Sequence, residues 1–97
     1  MATYITLLNF TDQGIKTIKE GPSRLAKAKE LAKAAGGEIK AFYLAMGQYD
    51  AVVISEAPND QAFAAALLTI GAGGAVRSQT LRVFPEIEYK EIIGSLP

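Results

Sequence analysis

Cysteine, histidine and tryptophan are missing altogether from this 97-residue chain. Without cysteine there is no disulfide, no thiolate nucleophile and no sulfur-ligated metal. Without histidine the commonest neutral-pH general base and the commonest metal ligand go as well. A reducing, cytoplasmic setting fits this usage. Net charge is also lacking, because ten Lys and Arg balance ten Asp and Glu. Residues 1–40 hold seven basic and four acidic side chains, and residues 41–97 hold three and six. A nucleic-acid binder carries a clear basic excess, so that class is set aside. The lysine-rich first half reads as a solvated helix face. The longest apolar stretch, "AFAAALLTIGAGGAV" from Ala62 to Val76, is shorter than the roughly 20 residues of a membrane span. The opening "MATYITLLNF" lacks the basic start of a secretory signal.

What is present is an ordinary globular composition, 49% hydrophobic and 21% charged. Residues 1–97 read as one domain whose small core would gain from a partner subunit. "TYITLLNF" (Thr3–Phe10) has the β-branched and aromatic content of a strand. Thr11 or Asp12 caps a short helical turn that Gly21-Pro22 ends. "SRLAKAKELAKAAGG" follows as an amphipathic helix with Leu25, Ala28, Ala32 and Ala35 on one side. "EIKAFYLAM" and "YDAVVISEA" are two apolar runs around Gly47-Gln48, the spacing of a hairpin whose turn is Gly47 and Gln48. "PNDQAFAAALLTIG" is a second helix capped by Asn59 or Asp60, with Phe63, Ala66, Leu67 and Ile70 in its stripe. "AVRSQTLRVF" is a fourth strand. Pro85 opens a C-terminal helix with Tyr89, Ile92, Ile93 and Leu96 on one side. The order is β-α-β-β-α-β plus a terminal helix. Right-handed crossovers make this an α+β, ferredoxin-like sandwich with both helices on one sheet face.

The hairpin parity shows what the other face must be like. A loop of two or four residues pairs Leu44 with Ala51 and Tyr43 with Val52. One face then carries Phe42, Leu44, Met46, Tyr49, Ala51 and Val53. The other carries Ala41, Tyr43, Ala45, Asp50, Val52 and Ile54. Both are largely apolar, whereas a sheet with one solvated face alternates apolar and polar. An apolar face left bare predicts a face-to-face homodimer, a dimeric α/β barrel. The alternative is that the C-terminal helix folds over the open face.

With "MGQYD" at the hairpin, the chain resembles the GYD family, named for its Gly-x-Tyr-Asp element. The ordered segments "NFTDQGIK", "GPSR", "GGEIKAFYLAMGQYD", "EAPND" and "GAVRSQTLRVF" carry the resemblance along nearly the whole chain. A glycine-rich approach to the last strand, Ala72 to Ala75, departs from the pattern and predicts a looser loop there. The resemblance implies a dimeric α/β-barrel fold and supplies no activity. The chain is also distantly similar to the ligand-binding domain of Lrp/AsnC-type regulators, in which small effectors bind between subunits. It has no helix-turn-helix, so it would be such a module standing alone.

The candidate ligand-binding residues are Asp50, Tyr43, Tyr49, Arg77, Ser78, Thr80 and Arg82. An aspartate inside an apolar strand must be paired or hydrogen-bonded. One reading gives Asp50 backbone N–H partners at the hairpin, or Arg77 or Arg82. The other has Asp50 hold a donor on a small ligand, with Ser78 and Thr80 nearby. Tyr49 and Asp50 fall on opposite faces in this register and do not act side by side. "GAGG" at 71–74 runs from helix to strand, the reverse of a phosphate-binding loop. Glu88 and Glu91 share a helix face without making a metal site, so neither metal nor cofactor is expected. The functional expectation is a homo-oligomeric small-molecule-binding or assembly module without catalysis. The rival is a cofactor-free enzyme, a small monooxygenase or isomerase, using Asp50 as acid or base.

Overall fold

β1 (Ala2–Phe10) runs down the middle of a four-stranded antiparallel sheet ordered β2-β3-β1-β4. The other strands are β2 (Glu38–Leu44), β3 (Ala51–Ala57) and β4 (Val76–Val83). The helices are α1 (Asp12–Lys16), α2 (Gly21–Ala34), α3 (Asp60–Ala72) and α4 (Glu86–Gly94). These come from a computed structural model that describes residues 1–97 throughout. The ferredoxin-like order expected from the sequence is the one observed. One boundary differs. Gly21-Pro22 open α2 instead of ending the preceding turn, because proline at the start of a helix loses no intrahelical hydrogen bond.

Local chemistry fixes the helix starts. Thr11 Oγ1 accepts the Gly14 N–H at 3.1 Å, and Asn59 Oδ1 accepts that of Ala62 at 2.8 Å. With Asn59 as the cap, Asp60 is free for other work.

Register assigns every strand residue to a face. Leu44 lies opposite Ala51, Phe42 opposite Val53 and Tyr43 opposite Val52. The register shifts between Ile39 and Ala41, a bulge that takes up Lys40. That one extra residue brings odd-numbered Ile39 to the same face as Phe42 and Leu44. It also sets Lys40 Nζ 3.7 Å from both Glu38 and Glu56, two acids that oppose each other across the ladder. A bulged lysine on edge strand β2 discourages another strand from adding there.

The helices cover the face bearing Thr6, Leu8, Phe42, Val53 and Ser55. The stripe of α2 (Leu25, Ala28, Ala32), continued by Ala35 just beyond its end, and that of α3 (Phe63, Ala66, Leu67, Ile70) both turn toward it. They stand off from the sheet, and an apolar cleft of about 690 Å³ separates the two layers. The most buried side chains belong to the strands, among them Tyr4, Thr6, Ala51, Val53 and Ser55. No residue of α2, α3 or α4 is fully buried.

The opposite face is bare. Ile5, Leu7, Val52, Ile54 and Val83 are half-buried there, while Tyr43 and Leu81 are 59% and 44% exposed. The alternative of α4 folding over this face is not realised. α4 packs extensively against no other element, and Ile87, Tyr89, Ile92 and Ile93 are all exposed. The radius of gyration, 14.6 Å, exceeds the roughly 12.5 Å of a compact chain of this length.

Candidate functional site

Glycine, tyrosine and aspartate of the hairpin do three different jobs. The β2–β3 ladder continues one step beyond Leu44 and Ala51, because the Ala45 N–H donates to Asp50 O at 2.8 Å. The connection is therefore Met46–Tyr49, four residues, with Gly47 and Gln48 in its middle. Gly47 has φ +148°, a backbone conformation that side chains rarely adopt. The loop leans across the end of β1: Asn9 Nδ2 donates to Gln48 O at 2.9 Å, and Tyr49 OH to Gln79 Oε1 at 2.8 Å. Gln79 pairs with Leu7 on the open face. Tyr49 thus reaches the open face, contrary to the strict alternation expected for it. The ladder stops before Tyr49, so strand parity no longer governs its direction.

Asp50 closes the end of β1. Its N–H donates to Leu8 O at 2.8 Å, and its carboxylate accepts the Phe10 N–H at 2.9 Å. A charged acceptor on a part-buried backbone donor is among the stronger hydrogen bonds in a small protein. Neither Arg77 nor Arg82 pairs with it. The expected gathering of candidates does not occur. Tyr43 and Arg77 lie on the open face, while Ser78, Thr80 and Arg82 lie on the helix-facing side of β4. Thr80 Oγ1 is 3.3 Å from Thr6 Oγ1, and Ser78 is exposed. None of the seven lines the apolar cleft.

If Asp50 acts as the acceptor for the Phe10 N–H, Asp50→Ala loses about 1–3 kcal/mol and Asp50→Asn, a neutral acceptor of the same shape, loses less, read by urea denaturation. Equal loss in both variants would assign the effect to charge instead.

A second cluster, which the sequence reading did not single out, sits at the other end of the sheet. Tyr4 OH donates to Asp60 Oδ1 at 2.5 Å, and Arg82 Nε lies 4.0 Å from the same oxygen. The Tyr4 ring stacks on Phe63, with centroids 4.0 Å apart and planes 12° from parallel. The Arg82 guanidinium lies 4.4 Å from the Phe84 ring centroid. Burial, with the Asp60 carboxylate as the next cause, pushes the Tyr4 phenol up to about 12. Arg82 acts weakly in the opposite direction. The signal in the sequence was Asn59-Asp60, two potential caps where a helix needs one.

The folded form resists losing the Tyr4 proton, so its contribution is complete below the ordinary tyrosine value near 10. It is lost as pH rises from there through about 12. Stability is expected to fall by about 2–3 kcal/mol across that window, and the fall should vanish in Tyr4→Phe. In a phenolate absorbance titration of the four tyrosines, one should ionise late. Four superimposed titrations would contradict this.

The GYD domain pattern matches residues 4–93. This chain belongs to the GYD family. A relative from Thermus thermophilus, named glutamine synthetase and cystathionine beta-lyase binding protein, is 34% identical over 86 residues, covering 88% of this chain and 90% of that protein. A solved crystal structure of a Thermus thermophilus protein superposes with a TM-score of 0.56, at 18% identity, over 88% of this chain and 95% of that one. That likeness supports the fold. In this GYD protein no helix is long and apolar enough to cross a membrane.

Proposed function

We propose that this GYD protein is a non-catalytic assembly module, one unit over residues 1–97, that self-associates in the cytoplasm and binds other proteins. The observation that carries the reading is the bare sheet face. Ile5, Leu7, Val52, Ile54, Leu81 and Val83 form a continuous apolar surface that neither α2, α3 nor α4 covers. A patch of this kind is what a second copy buries in a face-to-face dimer. Tyr43 and the Tyr49–Gln79 pair lie on the same face, giving an apolar centre with polar features.

The relative's name adds the kind of partner. Enzymes such as glutamine synthetase and cystathionine beta-lyase are the first to try, with the exposed apolar residues of α4 as a contact surface left available after dimerisation. A small ligand at Asp50 is less well supported, because the carboxylate is already engaged by the Phe10 N–H and no cavity reaches it. The same holds for an enzyme using Asp50, which would need a second polar group converging on a shared pocket.

Light scattering coupled to sizing, from low to high micromolar concentration, tests self-association. A dimer is expected, and a monomer throughout would sink the reading. Titration of purified glutamine synthetase and cystathionine beta-lyase with the protein then tests the partner class. Saturable binding to either is expected.

A further inference from the structure

The cleft between helices and sheet has chemistry of its own. Its walls are Leu8, Phe10, Phe42, Phe63, Leu67, Ile70 and their neighbours, and its volume is about 690 Å³. Pockets for small organic ligands fall at roughly 300–1,000 Å³. Two of the three hydroxyls in the wall are already partnered: Thr6 Oγ1 faces Thr80 Oγ1, and Thr69 Oγ1 donates to Ala65 O, while the Ser55 hydroxyl makes no hydrogen bond. No side-chain nitrogen or oxygen fully sealed from solvent lacks a partner. Water therefore finds little to bond to inside, and the body of an occupant must be apolar.

Charge enters only at the edge. Arg24 and Lys27 of α2 line the cleft one turn apart. Arg24 is half-buried and shared with Glu20 and the Thr17 hydroxyl. Lys27 is exposed and makes no ion pair. The acid in the lining, Glu56, is held by Lys40 at 3.7 Å. The rim thus offers positive charge to whatever lies in an apolar slot.

We propose that the cleft binds a single long apolar chain ending in an anionic head, a fatty-acid anion, with the chain between sheet and helices and the carboxylate at Lys27 and Arg24. The cleft and the bare face lie on opposite sides of the sheet, so this site does not depend on self-association.

The test uses cis-parinarate as fluorescent probe, kept below micelle formation, with dodecanoate, dodecanol and dodecyltrimethylammonium as competitors. Dodecanoate should displace the probe at least about tenfold more effectively than the ammonium compound, with dodecanol between them. Lys27→Glu, at an exposed position, should erase that order while leaving dodecanol unchanged. Ala28→Phe, which fills the cleft, should weaken all three by about tenfold or more. Ile54→Lys, on the far face, should leave probe binding intact even where it abolishes dimers. Two outcomes overturn the proposal: no saturable probe binding, or equal competition by the three headgroups. Unaltered binding in folded Ala28→Phe would do the same.

Discussion

Gly14→Ala should lower stability by at least about 3 kcal/mol, enough to move the thermal midpoint by some 12 °C or more in a domain of this size. A β-carbon at Gly14 would lie 2.0 Å from the Ala75 carbonyl oxygen and 2.9 Å from its carbon. Both are backbone atoms, so no side-chain rotation relieves the clash. The carbonyl is held by more than proximity, since the Thr11 N–H donates to Ala75 O at 3.1 Å and Thr11 Oγ1 to Gly74 O at 2.5 Å. Gln13 Nε2 adds a longer bond to Gly73 O at 3.3 Å. Pushing Ala75 away would therefore release the whole seam between the β1–α1 corner and the entry to β4. Gly21→Ala is the matched control. Gly21 has φ −51° at the start of α2, and nothing lies within 4 Å of its virtual β-carbon. That variant should be neutral or gain about 0.4–1 kcal/mol, from the smaller entropy of its unfolded chain. Both are read by urea and thermal denaturation at one fixed protein concentration, because self-association would otherwise shift the midpoints. A Gly14→Ala loss below about 1 kcal/mol would mean that the seam does not pack as described.

The same seam corrects an expectation. The glycine-rich approach to β4 reads from sequence as a looser loop, yet residues 73–75 are tied by three hydrogen-bond donors from Thr11 and Gln13. Glycine at 74 answers a positive φ of +81°. What looked like slack is a close approach between two distant segments, and single-sequence periodicity carries no information about such approaches.

Local pattern made much of the fold legible. Helical spacing picked out the residues of α2 and α3 that turn toward the sheet, and hairpin parity gave the pairing of Leu44 with Ala51 and Tyr43 with Val52. These succeed because helix and strand periods are properties of the chain itself. The failures have an equally definite cause. The bulge at Lys40 adds one residue to one strand, which alternation cannot detect. Tyr49 lies beyond the ladder, where alternation no longer applies. Grouping Ser78, Thr80 and Arg82 with Asp50 requires the register of β4 against β1, which only the fold supplies. The pairing of Tyr4 with Asp60 spans 56 positions of sequence and had no local signature.

If the bare sheet face is the self-association surface proposed above, Ile54→Lys should abolish association. Ile54 sits on β3, an inner strand, opposite Ile5 and Ala41 and on the bare face. In the monomer it is half-buried, so a lysine there can lay its methylenes along the sheet and keep its ammonium in water. The isolated fold should therefore survive, with unchanged circular dichroism and a modest fall in midpoint. In a face-to-face pair the same ammonium would be buried in the contact without a partner. Weakening of at least about 100-fold, some 2.7 kcal/mol, is the expected result. Leu68→Lys supplies the contrast. Leu68 is 74% exposed on α3 and does not line the cleft, so its replacement should leave association as it was. Loss of the dimer in both variants would point to a general effect of added charge, and loss in neither would move the contact away from the sheet. Loss in Ile54→Lys alone is the pattern that a bare, apolar β-surface requires.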